Sequence, residues 1–353
     1  MDVLRLLSLG LATGWAQEPD APRVQGVYEA ATRQLHVTTA QGRRFRFGFN
    51  PGGAICSVRD LDLAPEVEMV GDSFQGETTD RVIQWTYWNE RYLAAPHEVG
   101  DKNRRANVTM EGCYHGAEVC EVLETPPSGH ATELIFRSRI THWFYAELDR
   151  HGRPDFETTS RYQVLPDGSL RLQRSVLRRP WVLKNVTART WQPRQQTWLD
   201  VVHEEVRLEA RHLWPASMTS YFEAWTPLRR SALPRVRHEK AVLEKSGYLF
   251  WLPQDMGGWA MAYGETLALG VIFGTAHPAC PPHAMRSVFN TMDVPHHNLT
   301  ILLPGVELDW PDEATLVQTL IFAVGSPKEV EARVSRLAPE VPAPQLRLKA
   351  ASK

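Results

Sequence analysis

No run of apolar residues in this chain reaches the ~20 that a membrane-spanning helix needs, so no stable membrane insertion is expected. No block of like charge occurs either. The 353 residues carry 39 basic and 41 acidic side chains, a formal net charge of −2. Such a balance sets up no field that would draw in a nucleic acid, and none is expected as a partner. The glycine-rich loops that cradle phosphates are missing, as are the Gly-x-Ser-x-Gly elbow and the kinase set. Nucleotide-dependent and serine-hydrolase chemistry are thereby disfavoured. Cysteine is scarce: Cys56, Cys113, Cys120 and Cys280 are all there is. No CxxC pair occurs, so the spacing matches no zinc site, and no metal or other cofactor is expected. "CYHGAEVC" could close a loop from Cys113 to Cys120 in an oxidising compartment; four buried thiols is the other reading.

What is present begins with "MDVLRLLSLGLATGWAQEPDAP". Leu4 to Ala16 is mostly apolar, Arg5 is its basic residue, and "GWAQ" offers small residues where a signal peptidase cuts. The segment reads as a secretory signal, residues 1–16, cleaved after Ala16. A secreted or periplasmic protein is expected. The 353 residues are 43% hydrophobic, enough for one large core.

Strand signals dominate that chain. "RQLHVTT", "RRFRFGFN" and "AICSVRDL" alternate apolar and polar residues, and "AQG" and "NPGG" supply turns between them. "TSRYQVLPDGSLRLQRSVLR" reads as a hairpin turning at "PDG". Only "SPKEVEARVSRLAP" is plainly helical: Ser326 can cap it, Glu329 stands at the capping-box position, and Pro339 follows its end. Roughly fifteen or more short strands with one late helix predict an all-β fold, a large antiparallel β-sandwich with a short C-terminal helix. No βαβ rhythm and no repeat of propeller length appears. A single domain over 17–340 is expected, with 341–353 as a flexible tail.

The order of these segments resembles the galactose mutarotase-like superfamily, whose fold is a β-supersandwich. "FGFNPGGAICSVRDL" is similar to that family's opening. "TDRVIQWTYW" is similar to its Arg-containing strand, with Arg81 and Gln84 at corresponding places. "LTILLPGVELDWPDEATLVQTLIFAV" resembles its closing hairpin. "WPASMTSYFEAW" and "GGWAMAYGETLALGVIFG" look like secreted relatives of uncharacterised function. The resemblance implies a saccharide or polysaccharide as the partner, bound in a concave cleft. It also implies acid/base chemistry of epimerase, polysaccharide lyase or glycosidase type. The Gln84-Trp85 pair stands where a mutarotase has Asn-Arg, which implies chemistry other than ordinary aldose mutarotation. A non-catalytic carbohydrate-binding or structural module is the alternative.

Individual residues sharpen that expectation. Gln84 can both donate and accept hydrogen bonds, as sugar hydroxyls require. Trp88 can stack on a pyranose face, and Arg81 can neutralise a carboxylate. Strand alternation puts Arg81 and Gln84 on opposite faces. Trp259, after two glycines, is either a platform at the cleft rim or a core anchor. His203 and Glu205 in "VVHEEV" share a strand face and could form an acid/base couple; a solvated face is the plainer reading. His142 in "RITHWFY" stands near Tyr145 and could remove a ring proton, or simply hydrogen-bond at a sheet edge. His296 and His297 are adjacent, so at most one faces a cleft, too few to hold a metal. Asn107, Asn185 and Asn298 begin sequons. Nothing in the sequence specifies an oligomer.

Overall fold

A computed structural model describes residues 24–71, 81–87, 107–112, 120–140, 156–178, 181–192, 197–208, 219–223, 226–240, 242–243, 249–251, 257–274, 285–294, 298–308 and 313–348. The chain runs through β1 (Gln25–Glu29), β2 (Gln34–Thr38), β3 (Arg44–Phe49), β4 (Ile55–Asp60), β5 (Arg81–Tyr87) and β6 (Asn107–Gly112). Then come β7 (Cys120–Glu124), β8 (Gly129–His130), β9 (Glu133–Ile140), β10 (Phe156–Val164), β11 (Leu170–Arg178), β12 (Trp181–Gln192) and β13 (Thr197–Leu208). β14 (Thr219–Glu223), β15 (Thr226–Arg229), β16 (Arg235–His238), β17 (Val242–Leu243), β18 (Leu249–Trp251), β19 (Trp259–Tyr263) and β20 (Ala268–Phe273) follow. The last elements are β21 (Met285–Val294), β22 (Leu299–Leu308), β23 (Thr315–Gly325), α1 (Pro327–Leu337) and β24 (Gln345–Arg347). Every ladder among the described residues is antiparallel. The expected all-β sandwich with a short C-terminal helix is what forms.

The first sheet has the order β4-β3-β2-β1-β8. Its strands alternate cleanly: Tyr28, Leu35, Val37, Phe45 and Phe47 are buried while Arg44 and Arg46 point the other way. Tight turns set that register. The "NPGG" turn closes through Gly53, whose N–H donates to the Asn50 carbonyl at 3.0 Å, while Asn50 Oδ1 accepts from the Ala54 N–H. Gly53 adopts φ +88°, and a Cβ there would collide with Phe136, so glycine is required.

The second sheet runs β17-β16-β19-β20-β23-β11-β10-β9-β7, with β24 added beside β23. Its middle is covered on both faces, and the sequence alternates between two cores. Ala260, Ala262, Leu269, Val271, Leu320 and Phe322 join the aromatic face of the first sheet. Trp259, Met261, Ala268, Ile272, Ile321 and Ala323 lie under α1, packed against Val330, Val334 and Leu337. This two-sided burial explains why "ALGVIF" and "LIFAVG" read as unbroken apolar runs. Beyond the helix, the outer face of β7, β9 and β10 is wet and carries an ion-pair ladder of Arg137, Arg139, Glu124 and Glu157.

Ser326 and Glu329 form the expected capping box. Burial alone would raise the Glu329 carboxyl. Hydrogen bonds from Ser326 and the nearby Arg43 and Arg333 outweigh it and hold the pKa below its usual value. Arg43 bonds both Glu329 at 3.0 Å and the fully buried Asp60 at 2.6 Å, tying α1 to the first sheet. Part of the segment expected as a flexible tail packs on the fold: Val341 is buried, and β24 pairs with Thr315–Val317. β20 pairs only with Leu320–Gly325, so the rim of β23 beyond β20 offers hydrogen bonds that the tail takes up.

Two further sheets complete the chain. One has the order β18-β21-β22-β14-β5-β6, with β15 paired to β22. Leu228 and Leu302 bring it into the main core, and Val70 bridges to Leu228. The other is the β12-β13 hairpin. No helix among the described residues is long and apolar enough to cross a membrane.

Candidate functional site

β5 lies inside its sheet, between β14 and β6. The ladder sets Arg81 opposite Glu223, Ile83 opposite Tyr221 and Gln84 opposite Ser220. On the other side Ile83 meets Glu111 and Gln84 meets Met110. Tyr221 in turn pairs with Glu307, and Glu307 with Arg286. Directly opposed positions share a face. One row therefore reads Arg286, Glu307, Tyr221, Ile83, Glu111, with Arg81 and Glu223 two positions along on the same face. Gln84 and Ser220 fall on the opposite face, with Val82, Phe222 and Val306. Glu223, Tyr221, Glu307 and Arg286 had no signal in sequence spacing, since β14 and the β21-β22 hairpin that carry them lie far from β5 and from each other in the chain.

His203 and Glu205 lie two apart on β13, opposite Val186 and Lys184. They share a face of the β12-β13 hairpin, whose ladder is separate from the sheet that carries Arg81 and Gln84. These long strands pair with each other across a short connection, so their hydrogen bonds are met locally. Trp88 and His142 lie outside the described residues, as do His296, His297, Cys113 and Cys280. Cys56 is half-buried on β4.

Trp259 takes the core alternative. It is 3% exposed and packs beneath α1 with Ile272, Ile321 and Leu337. Its ring offers no face to a ligand. The cause is the late helix, which covers the outer face of β19 and turns a potential platform into an anchor.

A second polar feature is better enclosed. On the core-facing side of the second sheet, apolar residues give way to a polar patch. Ser138, Thr158, Ser160, Arg174 and Gln318 are each 3% exposed or less. The ladder sets Gln318 opposite Arg174, Arg174 opposite Ser160 and Thr158 opposite Ser138. Arg174 Nε donates to Ser160 Oγ at 3.3 Å, and the Ser138 and Thr158 hydroxyls share a hydrogen bond of 2.7 Å. Burial lowers the Arg174 pKa to about 9, which still leaves the guanidinium charged at neutral pH. Gln318 Oε1 has no hydrogen-bond partner among the described residues.

The patch does leave a mark in the sequence. In "LRLQRSV" Arg174 follows Leu170 and Leu172 in the inward series, and in "LVQTLIF" Gln318 stands between Leu316 and Leu320 in theirs. A polar residue in step with an apolar series signals a buried polar site. Nearer the sheet edge, His238 is 1% exposed, and burial lowers its imidazole pKa to about 4. No group of three or more His, Cys, Asp or Glu residues that could hold a metal occurs among the described residues.

Fold and site together define an antiparallel β-sandwich protein with a charged sheet face and an enclosed polar patch. No family model matches the chain, and no curated protein does. Solved structures give slight likenesses. A Salmonella typhimurium protein described as a mutarotase is 7% identical, covering 85% of this chain and 96% of its own, with a TM-score of 0.35. A Klebsiella pneumoniae protein described as an aldose 1-epimerase is 10% identical, covering 91% and 87%, with a TM-score of 0.33. A heparan sulfate lyase from Pedobacter heparinus is 6% identical over 85% of this chain, with a TM-score of 0.33. The chain spans 36% of that lyase's length. Likeness this slight assigns the chain neither a family nor an activity.

Proposed function

We propose that this chain is an exported carbohydrate-active protein of galactose mutarotase-like type, which binds a saccharide over the charged face of the β5-β14-β22 sheet. The observation that most supports this is the register that aligns Arg81, Glu223, Tyr221, Glu307 and Arg286 on one face. Carboxylate and phenol groups can accept or deliver a proton on a sugar ring, and a guanidinium can stabilise the negative charge that develops. Epimerisation or elimination on a saccharide is the chemistry such a set serves. Arg81 and Trp88 remain proposed saccharide contacts, Gln84 on the opposite face is not placed to share that saccharide, and His142, His203 and Glu205 remain proposed acid/base groups. Export follows from the reading of residues 1–16 as a signal peptide.

The test is a glycan array together with a panel of neutral and acidic polysaccharides and monosaccharides, with products analysed. Saturable binding to at least one saccharide is expected. Glu307→Gln or Arg81→Met should weaken binding or turnover about tenfold or more, as loss of a charged hydrogen bond does. A folded protein that neither binds nor turns over any member of the panel sinks the reading. N-terminal sequencing of the mature protein tests the cleavage after Ala16.

One observation favours a non-catalytic version. His203 and Glu205 belong to a hairpin separate from the sheet of Arg81. Binding without turnover, unchanged by His203→Ala or Glu205→Gln, would identify a carbohydrate-binding module.

A further inference from the structure

We propose that the enclosed patch on the second sheet is a hydroxyl-binding subsite, in which Gln318 Oε1 is the acceptor for an O–H group of a ligand. The ligand class, a saccharide or similar polyol, rests on the carbohydrate reading above. The acceptor itself rests on the geometry of the patch.

The argument starts from cost. A buried carbonyl oxygen without a donor is destabilising relative to an apolar group of the same shape. Gln318 is 3% exposed, its neighbours along β23 are Leu316 and Leu320, and its Oε1 has no partner among the described residues. A leucine or methionine would serve the core better. The glutamine therefore has a partner to meet, and that partner must donate a hydrogen bond. Three chemical classes could do so: an ammonium, an amide N–H or a hydroxyl. Directly opposite in the ladder stands Arg174, a guanidinium that disfavours a second positive charge. The rest of the patch, Ser160, Thr158 and Ser138, consists of hydroxyls that act as donor or acceptor as required. A ligand hydroxyl has the same two-way capacity and matches such surroundings best. In surroundings this enclosed, bulk solvent is excluded, and a single hydrogen bond weighs more than at a surface.

An internal water would satisfy Gln318 as well, so the test reads the unliganded protein first. Gln318→Met keeps the volume and removes the acceptor; Gln318→Glu keeps an acceptor beside Arg174. The probes are methyl glycosides of neutral hexoses and of hexuronic acids, and the readouts are melting temperature with and without glycoside and direct binding by calorimetry. Unliganded Gln318→Met should melt at or above the wild-type temperature. It should bind the active glycoside about tenfold or more weakly, while Gln318→Glu should retain binding. If unliganded Gln318→Met melts several degrees lower, the oxygen was satisfied within the protein and the proposal falls. If glycosides bind wild type and Gln318→Met equally, the subsite is wrong and the carbohydrate reading survives. If no glycoside binds wild type, the carbohydrate reading and the ligand class fall together. The Gln318→Met melt then decides alone whether the oxygen is an unmet acceptor.

Discussion

Removing the His238 imidazole should flatten the pH dependence of stability on the acid side of neutrality. The residue is 1% exposed on β16, opposite Ala260, and burial takes its pKa from 6.5 to about 4. Folding therefore favours the neutral ring, and the unfolded chain binds the proton more readily. The stability tied to this group is present in full above about pH 6.5 and is lost as pH falls toward about 4. Between about pH 7 and pH 5 the loss from this one site should be about 2 kcal/mol. Over that window Asp62 and Glu329 stay ionised: against the opposing effect of burial, Arg44 and Arg43 hold the first carboxyl below its usual value, and Ser326 hydrogen bonds with Arg43 and Arg333 hold the second. The assay is urea unfolding of wild type and His238→Leu at both pH values. The quantity read is the stability lost by wild type minus the stability lost by the variant. The other histidines are common to both proteins and cancel, and so does any uniform cost of the substitution. A difference near zero would refute the claim that the buried ring resists protonation.

Two further outcomes follow from the packing. Trp259→Ala should destabilise by about 3–5 kcal/mol in denaturant unfolding, as large core truncations do. Trp259→Phe should leave saccharide binding unchanged, because the ring anchors α1 rather than a ligand. Tyr162→Phe removes the O–H that donates to the Gly53 carbonyl at 2.7 Å inside the aromatic core. It should cost about 1 kcal/mol by the same unfolding measurement, more if the orphaned carbonyl finds no water.

Local signals in the sequence translated directly into structure. Alternation in "QLHVT" and "RFRFGF", the "PDG" turn at Gly168 with φ +83°, and the Ser326–Glu329 box all depend on neighbours a few residues away. Residues whose role depends on distant segments were harder to read. Trp259 was undecidable because the element that buries it, α1, begins at Pro327. Arg81 was picked out for its composition, but its ladder partner Glu223 lies far along the chain and only strand pairing reveals it. Arg174 and Gln318 stand as polar intrusions in apolar series, but only the layer that covers them shows that they are buried. The final segment was misread because a Pro-rich stretch carries no sign that a neighbouring strand has an open rim.

The position of β23 has a consequence for how the molecule is made. It is almost the last strand to leave the ribosome, yet it sits between β20 and β11 rather than at a border of its sheet. Until it arrives, the strands on either side have no common partner, and the aromatic face of the first sheet lacks Leu320 and Phe322. Completion is deferred to the end of synthesis, and the contacts made then span most of the chain, which slows folding. A nascent protein of this kind stays open to chaperones for most of its length. A stop codon shortly before Thr315 would remove the keystone strand, leaving two half-sheets with exposed borders and a product destined for degradation.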